Sequence, residues 1–183
     1  MFDTNRLINR SFIETDFQIW KSAHLCVLPK QNDFDDAMIS KEKLTKDFFD
    51  KIRETDRVQA EIDHTYTFYS FSKDENILVG GSQLWSVQRH ECQRATLGFW
   101  VFNNHWRKGY GLEIAWGTIL FGFNILKLNR IEAEILPENK PSIALCEKLG
   151  MTSEGIRREA LQIDGKWRDH VVYSILKSDL DHN

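Results

Sequence analysis

The sequence of 183 residues contains little cysteine and little proline, with three residues of each. The cysteines, Cys26, Cys92 and Cys146, are odd in number and far apart, so they do not indicate a disulfide framework. Free cysteines of this kind are typical of a reducing cytosol, and we expect a cytoplasmic protein. The chain also has no low-complexity tract and no linker, which predicts a single domain over residues 1–183.

A long hydrophobic run is also missing. The most apolar stretch, residues 114–126, is bounded by charged residues and is too short to span a bilayer, so we expect no membrane contact. The first four residues lead into a strand-like segment rather than an apolar signal region, so secretion is not indicated. With 42% hydrophobic and 28% charged residues, the composition is typical of a globular domain.

Basic clusters and metal-binding patterns form the third absence. The formal net charge is −3 and no block of Lys and Arg occurs, so nucleic acid is not an expected partner. The histidines lie far apart and no C-x-x-C motif accompanies them, so we expect no metal site. They are His24, His64, His90, His105, His170 and His182.

The sequence does contain a strand, a basic glycine loop and a long helix in direct succession. Residues 96–102 are rich in aromatic and β-branched side chains, which favour a strand. After Gly111, apolar side chains recur with the spacing of one helical face. The pattern therefore predicts a helix N-terminus directly after the loop. The loop consists of Trp106, Arg107, Lys108, Gly109, Tyr110 and Gly111.

This loop has the features of a phosphate site. The first N–H groups of a helix are unpaired and lie at the positive end of its dipole, so they attract anions. Gly109 and Gly111 allow the backbone to approach an anion closely, and Arg107 and Lys108 add positive charge. A Walker loop does not fit, because its string is absent; a dinucleotide fingerprint does not fit, because Ile114 replaces its third glycine. A turn of this kind that binds no ligand is the alternative.

The remaining segments alternate between helical and strand patterns. Asp164-Gly165 is a two-residue turn signal that joins residues 155–163 and 166–176 into a hairpin. The whole pattern predicts an α+β domain with a mixed, mostly antiparallel twisted sheet, a parallel strand pair around the long helix, and flanking helices. Further strands are predicted at residues 6–10, 66–71, 77–87, 94–102 and 130–136, and further helices at residues 14–22, 41–60 and 141–149.

Three motifs resemble the GNAT superfamily of N-acetyltransferases. Residues 106–111 resemble its Q/R-x-x-G-x-G/A pyrophosphate loop, although Trp106 stands where Gln or Arg is usual. Residues 137–151 resemble the N-x-x-S-x-x-x-x-E-K-x-G-F segment that follows in the same order. Residues 162–171 resemble the I-D-G-x-W-R-D-H hairpin of the RimJ/RimL group, which acetylates the N-termini of ribosomal proteins. The resemblance covers residues 4–176.

The resemblance implies the GNAT fold and acetyl-CoA as co-substrate. In these enzymes the strand before the loop splays from the next parallel strand, and the pantetheine arm lies in the gap. An N–H near Val101 or Phe102 would polarise the thioester oxygen there. Asn139 and Ser142, in the second motif, are implied to contact the co-substrate. The implied set is completed by Trp106, Arg107, Lys108, Gly109, Tyr110 and Gly111.

The resemblance leaves the proton donor open. Many GNAT enzymes carry a tyrosine seven residues after the motif asparagine to protonate the leaving thiolate, but Cys146 stands at that position. Ser142 could donate instead or hydrogen-bond the sulfur; alternatively it only satisfies free N–H groups of the first helical turn. We expect Cys146 to pack in the core rather than to act as a nucleophile.

Glu134 and Glu159 are the candidates for the general base. Glu132 and Glu134 share one face of a short strand, where a carboxylate requires a partner or a function; alternatively both emerge at the sheet edge. RimL-like enzymes carry a glutamate aligned with Leu161. Glu159, two residues earlier on the same predicted strand face, could replace it.

The sequence thus favours an N-acetyltransferase that transfers acetyl directly to a protein N-terminal amine within a ternary complex. The alternatives are acetylation of a small amine, such as a polyamine, an amino sugar or an antibiotic, and a non-catalytic acyl-CoA-binding module. Converging acidic residues at the acceptor site would support a small amine, whereas an open groove would support an extended chain. We expect a monomer or a homodimer.

Overall fold

The computed structural model describes residues 1–35 and 39–182. Eight strands and four α-helices are described in these ranges. The strands are β1 (Phe2–Asp3), β2 (Leu7–Arg10), β3 (Tyr66–Ser72), β4 (Leu78–Gln88), β5 (Arg94–Val101), β6 (Arg130–Ile135), β7 (Thr152–Ile163) and β8 (Lys166–Leu176). The helices are α1 (Phe17–Leu25), α2 (Lys46–Glu61), α3 (Tyr110–Asn124) and α4 (Lys140–Lys148).

The strands form one sheet in the order β1-β2-β3-β4-β5-β6-β8-β7. All described neighbours are antiparallel except β5 and β6, which are parallel. That parallel pairing is short: it runs from Arg94 opposite Arg130 to Thr96 opposite Glu132. The predicted α+β fold with a splayed parallel pair is therefore confirmed, and α3 is the crossover between the two strands.

The helices cover both faces of the sheet. Two neighbouring residues of β3 show this, because successive side chains of a strand point to opposite faces. The ring of Phe68 contacts Phe121 of α3, with 4.8 Å between centroids, whereas the hydroxyl of Tyr69 donates to Asp56 of α2 at 2.8 Å. The α3 side holds the larger core cluster, which includes Leu84, Ala115, Ile119, Phe123, Ile131 and Cys146. The α1 and α2 side holds Phe12, Trp20, Leu44, Phe49, Phe71 and Leu78.

The ends of several elements differ from the predictions. The helix predicted from residue 14 starts as a 3-10 turn at Glu14–Asp16 and becomes α1 only at Phe17. Likewise, the helix predicted from residue 41 is a 3-10 turn followed by α2, whose first turn is capped by Thr45. The short strand β1 was not predicted. Because residues 36–38 and 183 lie outside the described ranges, the assignment of residues 1–183 to one domain stays a prediction.

Candidate functional site

The sheet opens between β5 and β6 beyond the pair Thr96 and Glu132. On its other edge β5 stays paired with β4 up to Val101 opposite Gly80, and the amide of Phe102 donates to the carbonyl of Val79 at 3.0 Å. Backbone groups of successive residues alternate between the two edges of an antiparallel strand. The Phe102 amide is thus already engaged, and the Val101 amide faces the gap. Two amides were predicted to face a thioester, and only that of Val101 is positioned to donate into the gap.

A helix N-terminus with free amides lies at one end of this gap. Helix α3 begins after Gly109, which has φ +80°, a left-handed conformation that glycine adopts without strain. Among the described residues, no side chain caps α3. The first hydrogen bond back to the turn comes from the Glu113 amide to the Gly109 carbonyl at 3.3 Å. The amides of Tyr110, Gly111 and Leu112 are therefore available to an anion.

The missing side chain of Gly111 also has a packing role. A Cβ atom at this position would lie 3.1 Å from Leu145 Cδ1 and 3.7 Å from Val101 Cγ2. Its missing side chain therefore allows α4 and β5 to approach α3, and does not open space for an anion. Its amide remains available at the start of α3, so the expectation that both glycines serve an anion stays a prediction.

Arg6 is a third cation at this turn, and sequence reasoning did not identify it. Its Nη1 donates to the Lys108 carbonyl at 2.9 Å, and its guanidinium lies 4.5 Å from the ring centroid of Tyr110. Arg107 and Lys108 are exposed beside it. No local pattern links residue 6 to residues 108–110, because only the tertiary fold brings β2 to the start of α3.

Glu113 places a negative charge in the first turn of α3. Its carboxylate accepts hydrogen bonds from Thr4 Oγ1 at 2.6 Å, the Arg6 amide at 2.7 Å and Arg6 Nε at 2.7 Å. Partial burial alone would raise the pKa of Glu113, but these hydrogen bonds together with the Arg6 charge hold the pKa below its usual value. Glu113 is therefore ionised and paired with Arg6, which reduces its repulsion of an anion at the helix N-terminus.

The second helix N-terminus at the gap is that of α4. Asn139 Oδ1 accepts the Ser142 amide at 3.3 Å, and Pro141 has no N–H. Among the described residues, the Ser142 hydroxyl has no hydrogen-bond partner, so it does not perform the capping alternative. Cys146, one turn later, is fully buried, and burial together with the nearby Glu147 raises its pKa to about 12. Cys146 thus remains a packed thiol, as expected.

A cavity of about 1050 Å³ connects these parts and passes through the gap. The α3 and α4 N-termini form one wall of the cavity. The opposite wall, called the far wall below, is formed by α1, β3 and the loop before α2. Of the predicted residues, Val101, Phe102, Trp106, Arg107, Gly109, Tyr110, Gly111, Asn139 and Ser142 line it.

Neither predicted base lines this cavity. Glu134 lies on the sheet face opposite α3, where it pairs with Arg157 and with His170 Nδ1 at 3.5 Å. Glu159 is exposed, and its amide donates to Asp169 Oδ1 at 2.8 Å. The register of β7 and β8 shifts between Arg157 and Leu161, so Glu159 lies in a bulge with φ +49°. The expected shared face of Glu159 and Leu161 is therefore wrong.

Two groups on the far wall were missed. His24 of α1 contacts the rings of Trp20 and Phe102, with centroid distances of 5.2 and 5.1 Å. Burial lowers the pKa of His24 to about 4, so the imidazole is neutral at pH 7. Asp35 accepts the Gln31 amide at 2.8 Å and Asn103 Nδ2 at 3.0 Å. A lone histidine and a loop aspartate carry no sequence signal that would have selected them.

Metal and membrane features are both absent from the described chain. Within residues 1–35 and 39–182, no three side chains of His, Cys, Asp or Glu are grouped so that they could bind a metal ion. No described helix combines the length and the apolar character that crossing a membrane requires.

Comparison with known proteins places this site in a family context. Residues 6–152 match the family described as an acetyltransferase (GNAT) domain. The chain is 36% identical over 119 residues to "Probable N-acetyltransferase YjcK" of Bacillus subtilis. The match covers 65% of this chain and 66% of that protein. It is 31% identical over 114 residues to "[Ribosomal protein uS5]-alanine N-acetyltransferase" of Escherichia coli, covering 62% of this chain and 59% of that protein.

The same architecture occurs in solved structures. Mycobacterium smegmatis RimJ in complex with CoA-disulfide superimposes with a TM-score of 0.79 and 24% identity. The match covers 95% of this chain and 83% of that chain. This likeness concerns the fold, including the sheet and the helices that form the cavity.

Proposed function

Because the chain belongs to the GNAT acetyltransferase family, we propose that it transfers acetyl from acetyl-CoA to the N-terminal α-amine of a protein. The cavity is the observation that supports this most. It joins the uncapped N-terminus of α3 to the opening between β5 and β6 and continues to a separate wall on the other side of the sheet. Acetyl-CoA can therefore enter from one side of the sheet and the acceptor from the other, so that the two meet in the gap.

The residues at the α3 end fit the diphosphate of coenzyme A. The free amides of Tyr110, Gly111 and Leu112 provide donors, while Arg6 and Arg107 add positive charge. When bound, acetyl-CoA supplies an acetyl group activated as a thioester. The Val101 amide would donate to the thioester oxygen, where negative charge develops during transfer. The free hydroxyl of Ser142 would donate a proton to the departing sulfur.

The acidic content of the cavity favours an α-amine over a small polycation. Asp35 is the carboxylate that lines the cavity among the described residues, and the surrounding wall is largely aromatic. A polyamine carries several positive charges, which one carboxylate would not neutralise. Glu134 and Glu159 lie elsewhere, so no strong base adjoins Ser142 in the described chain.

A weakly basic site also suits an α-amine chemically. The reference pKa of an α-amine is about 8 and that of lysine about 10.4, so lysine requires roughly 3.4 kcal/mol more work to become neutral at pH 7. Transfer is proposed to be direct within a ternary complex, because Cys146 is a buried thiol with a raised pKa. The E. coli relative, named for alanine of ribosomal protein uS5, supports an N-terminal acceptor of this kind.

The test is a thiol-release assay with acetyl-CoA and matched acceptors. We expect turnover with peptides that begin with Ala or Ser, and little with the same peptides whose N-terminus is blocked but whose lysine is free. Turnover with spermidine or an aminoglycoside instead of peptides would overturn the acceptor assignment. Tight binding of coenzyme A without turnover on any acceptor would overturn the enzymatic role.

A further inference from the structure

The far wall of the cavity is held by one buried amide side chain. Asn103, only 6% exposed, lies two residues after the end of β5. Its Oδ1 accepts the Leu28 amide at 2.7 Å, and its Nδ2 donates to the Leu28 carbonyl at 2.8 Å and to Asp35 Oδ2 at 3.0 Å. The carbonyl of Pro29 lies 3.4 Å from the same nitrogen. Asn103 therefore fixes both ends of the segment 28–35 against the strand that borders the gap.

This arrangement leaves one carboxylate oxygen of Asp35 open. Oδ2 accepts both Asn103 Nδ2 and the Gln31 amide, the latter at 2.8 Å. Oδ1 has no hydrogen-bond partner among residues 1–35 and 39–182, although Asp35 lines the cavity. A carboxylate that is oriented by donors on one oxygen is prepared to accept a hydrogen bond on the other.

The charges around Asp35 leave its negative charge uncompensated within the described chain. No ion pair there includes Asp35, and His24 on the same wall is neutral at pH 7 because burial lowers its pKa to about 4. Arg107 lies in the turn before α3 and Lys148 is the last residue of α4, so neither cation is on α1 or on the segment that holds Asp35. The cavity lining also includes the aromatic side chains Trp20, Phe34, Tyr69 and Trp100.

We propose that Asp35 recognises the acceptor by receiving its single ammonium group on Oδ1, and that Asn103 is the positioning residue that holds Asp35 in place. This assignment rests on the proposed function, since it assumes that the acceptor occupies the far wall. The amine binds as a cation and then gives its proton to solvent water, and the neutral nitrogen attacks the thioester carbon as the bond from that carbon to sulfur breaks. The acceptor class is therefore a monocationic amine whose neighbouring groups pack on aromatic rings, which an N-terminal residue provides.

The test compares Asp35→Asn with Asp33→Asn. An Asn at position 35 can still accept from Asn103 and Gln31 through its amide oxygen, whereas the position of Oδ1 becomes an NH2 donor and the negative charge is lost. Asp33 lies on the same segment, is exposed and does not line the cavity, so it controls for net charge. We expect D35N to raise the acceptor KM about tenfold or more, with kcat within about threefold and the acetyl-CoA KM unchanged. D33N is expected to match the wild type.

The role of Asn103 is tested by Asn103→Ala and the double variant. N103A is expected to raise the acceptor KM at least as much as D35N, and D35N/N103A no further than N103A, because both changes remove one interaction. Full additivity of the two changes would overturn the positioning role. A wild-type acceptor KM in D35N would overturn the assignment of Asp35.

Calorimetry separates this proposal from the proposed function. Without acetyl-CoA, the wild type should bind an Ala-initiated peptide more tightly than the same peptide with an acetylated N-terminus, and D35N should lose that preference. The measurement needs no turnover, so an inactive wild type that still shows the preference would sink the proposed activity and leave Asp35 as a recognition residue. Absence of the preference in an active wild type would sink the recognition role alone.

Discussion

Helices α3 and α4 both direct their N-termini into one cavity, but only α3 leaves its amides free. In α4, Asn139 accepts the Ser142 amide and Pro141 removes another donor. In α3, the corresponding position is Gly109, which has no side chain and a left-handed backbone. Only α3 therefore keeps donors that an anion could use, since a cap satisfies the same N–H groups.

The two first turns also differ in charge. Helix α4 has no acidic residue in its first turn, whereas α3 carries Glu113. The dipole of α3 is thus opposed by a carboxylate, which Arg6 pairs with at 2.7 Å. The proposed anion site at α3 is therefore expected to depend on this pair as well as on the absent cap, and each can be changed separately.

The largest effect is expected from Gly109→Val. A β-branched residue at φ +80° costs roughly 1–2 kcal/mol in backbone strain and displaces the turn. We expect the affinity for coenzyme A, measured by calorimetry, to fall at least about tenfold. Gly165→Val is the matched control, because Gly165 has φ +75° in the hairpin turn with nothing within 4 Å of an added Cβ.

Both glycine variants should lose similar stability in chemical denaturation, and only G109V should lose coenzyme affinity. Equal affinity in the two variants would show that the turn at α3 does not bind the diphosphate. The proposal for the whole cavity would then fail with it.

A smaller effect, on stability rather than on binding, is expected from Asn139→Ala. Removal of an N-cap costs about 1 kcal/mol. We expect this loss of unfolding free energy, with coenzyme affinity within about twofold of the wild type. Thr45→Ala is the control, because Thr45 caps α2 by accepting the Phe48 amide at 3.3 Å. A much larger loss of affinity in N139A alone would show that Asn139 contacts the coenzyme directly, as its motif position suggests.

Local signals in the sequence were sufficient for most of the fold. The helix predicted at residues 141–149 is α4, with Pro141 in its first turn and Gly150, at φ +75°, just after its end; the Asp164-Gly165 turn joins β7 and β8 as predicted. Such residues act within a few positions of themselves, so a pattern of neighbours reveals them.

Features that depend on distant pairing were not predictable in the same way. Arg6 directly precedes β2 and Glu113 lies in the first turn of α3, and only the packed fold brings the two together. The segment 28–35 meets Asn103 across a similar separation. Glu159 was misplaced because a bulge breaks the two-residue period on which its predicted face depended. The glycines and basic residues of the α3 turn were therefore visible in the sequence, whereas Arg6 beside that turn and the pairing of Asn103 with the segment 28–35 required the structure.

The smallest effect is expected from Arg6→Ala, which removes the cationic partner of Glu113 in the first turn of α3 but keeps the bonds from Thr4 and from the backbone amide of residue 6. A charge at a helix end changes binding by about 0.3–1 kcal/mol, so coenzyme affinity should fall about two- to fivefold and the loss should shrink at high salt. Adding Glu113→Gln to R6A removes the opposing charge and should restore part of the affinity. If R6A weakens binding and the second change restores nothing, Arg6 acts by contacting the diphosphate itself.

The pair of Arg6 and Glu113 also predicts how protein stability depends on pH, and this dependence tests whether the pair stabilises α3. The folded-state pKa of Glu113 is lowered, so its contribution to stability is present above the unfolded value and is lost as pH falls through the folded value. The wild type should therefore lose more stability on acidification than R6A/E113Q, when unfolding is measured between pH 7 and pH 3. Equal acid sensitivity would mean that the pair does not stabilise α3. Arg6 would then act at this turn only through the Lys108 carbonyl and the Tyr110 ring, which it contacts independently of Glu113.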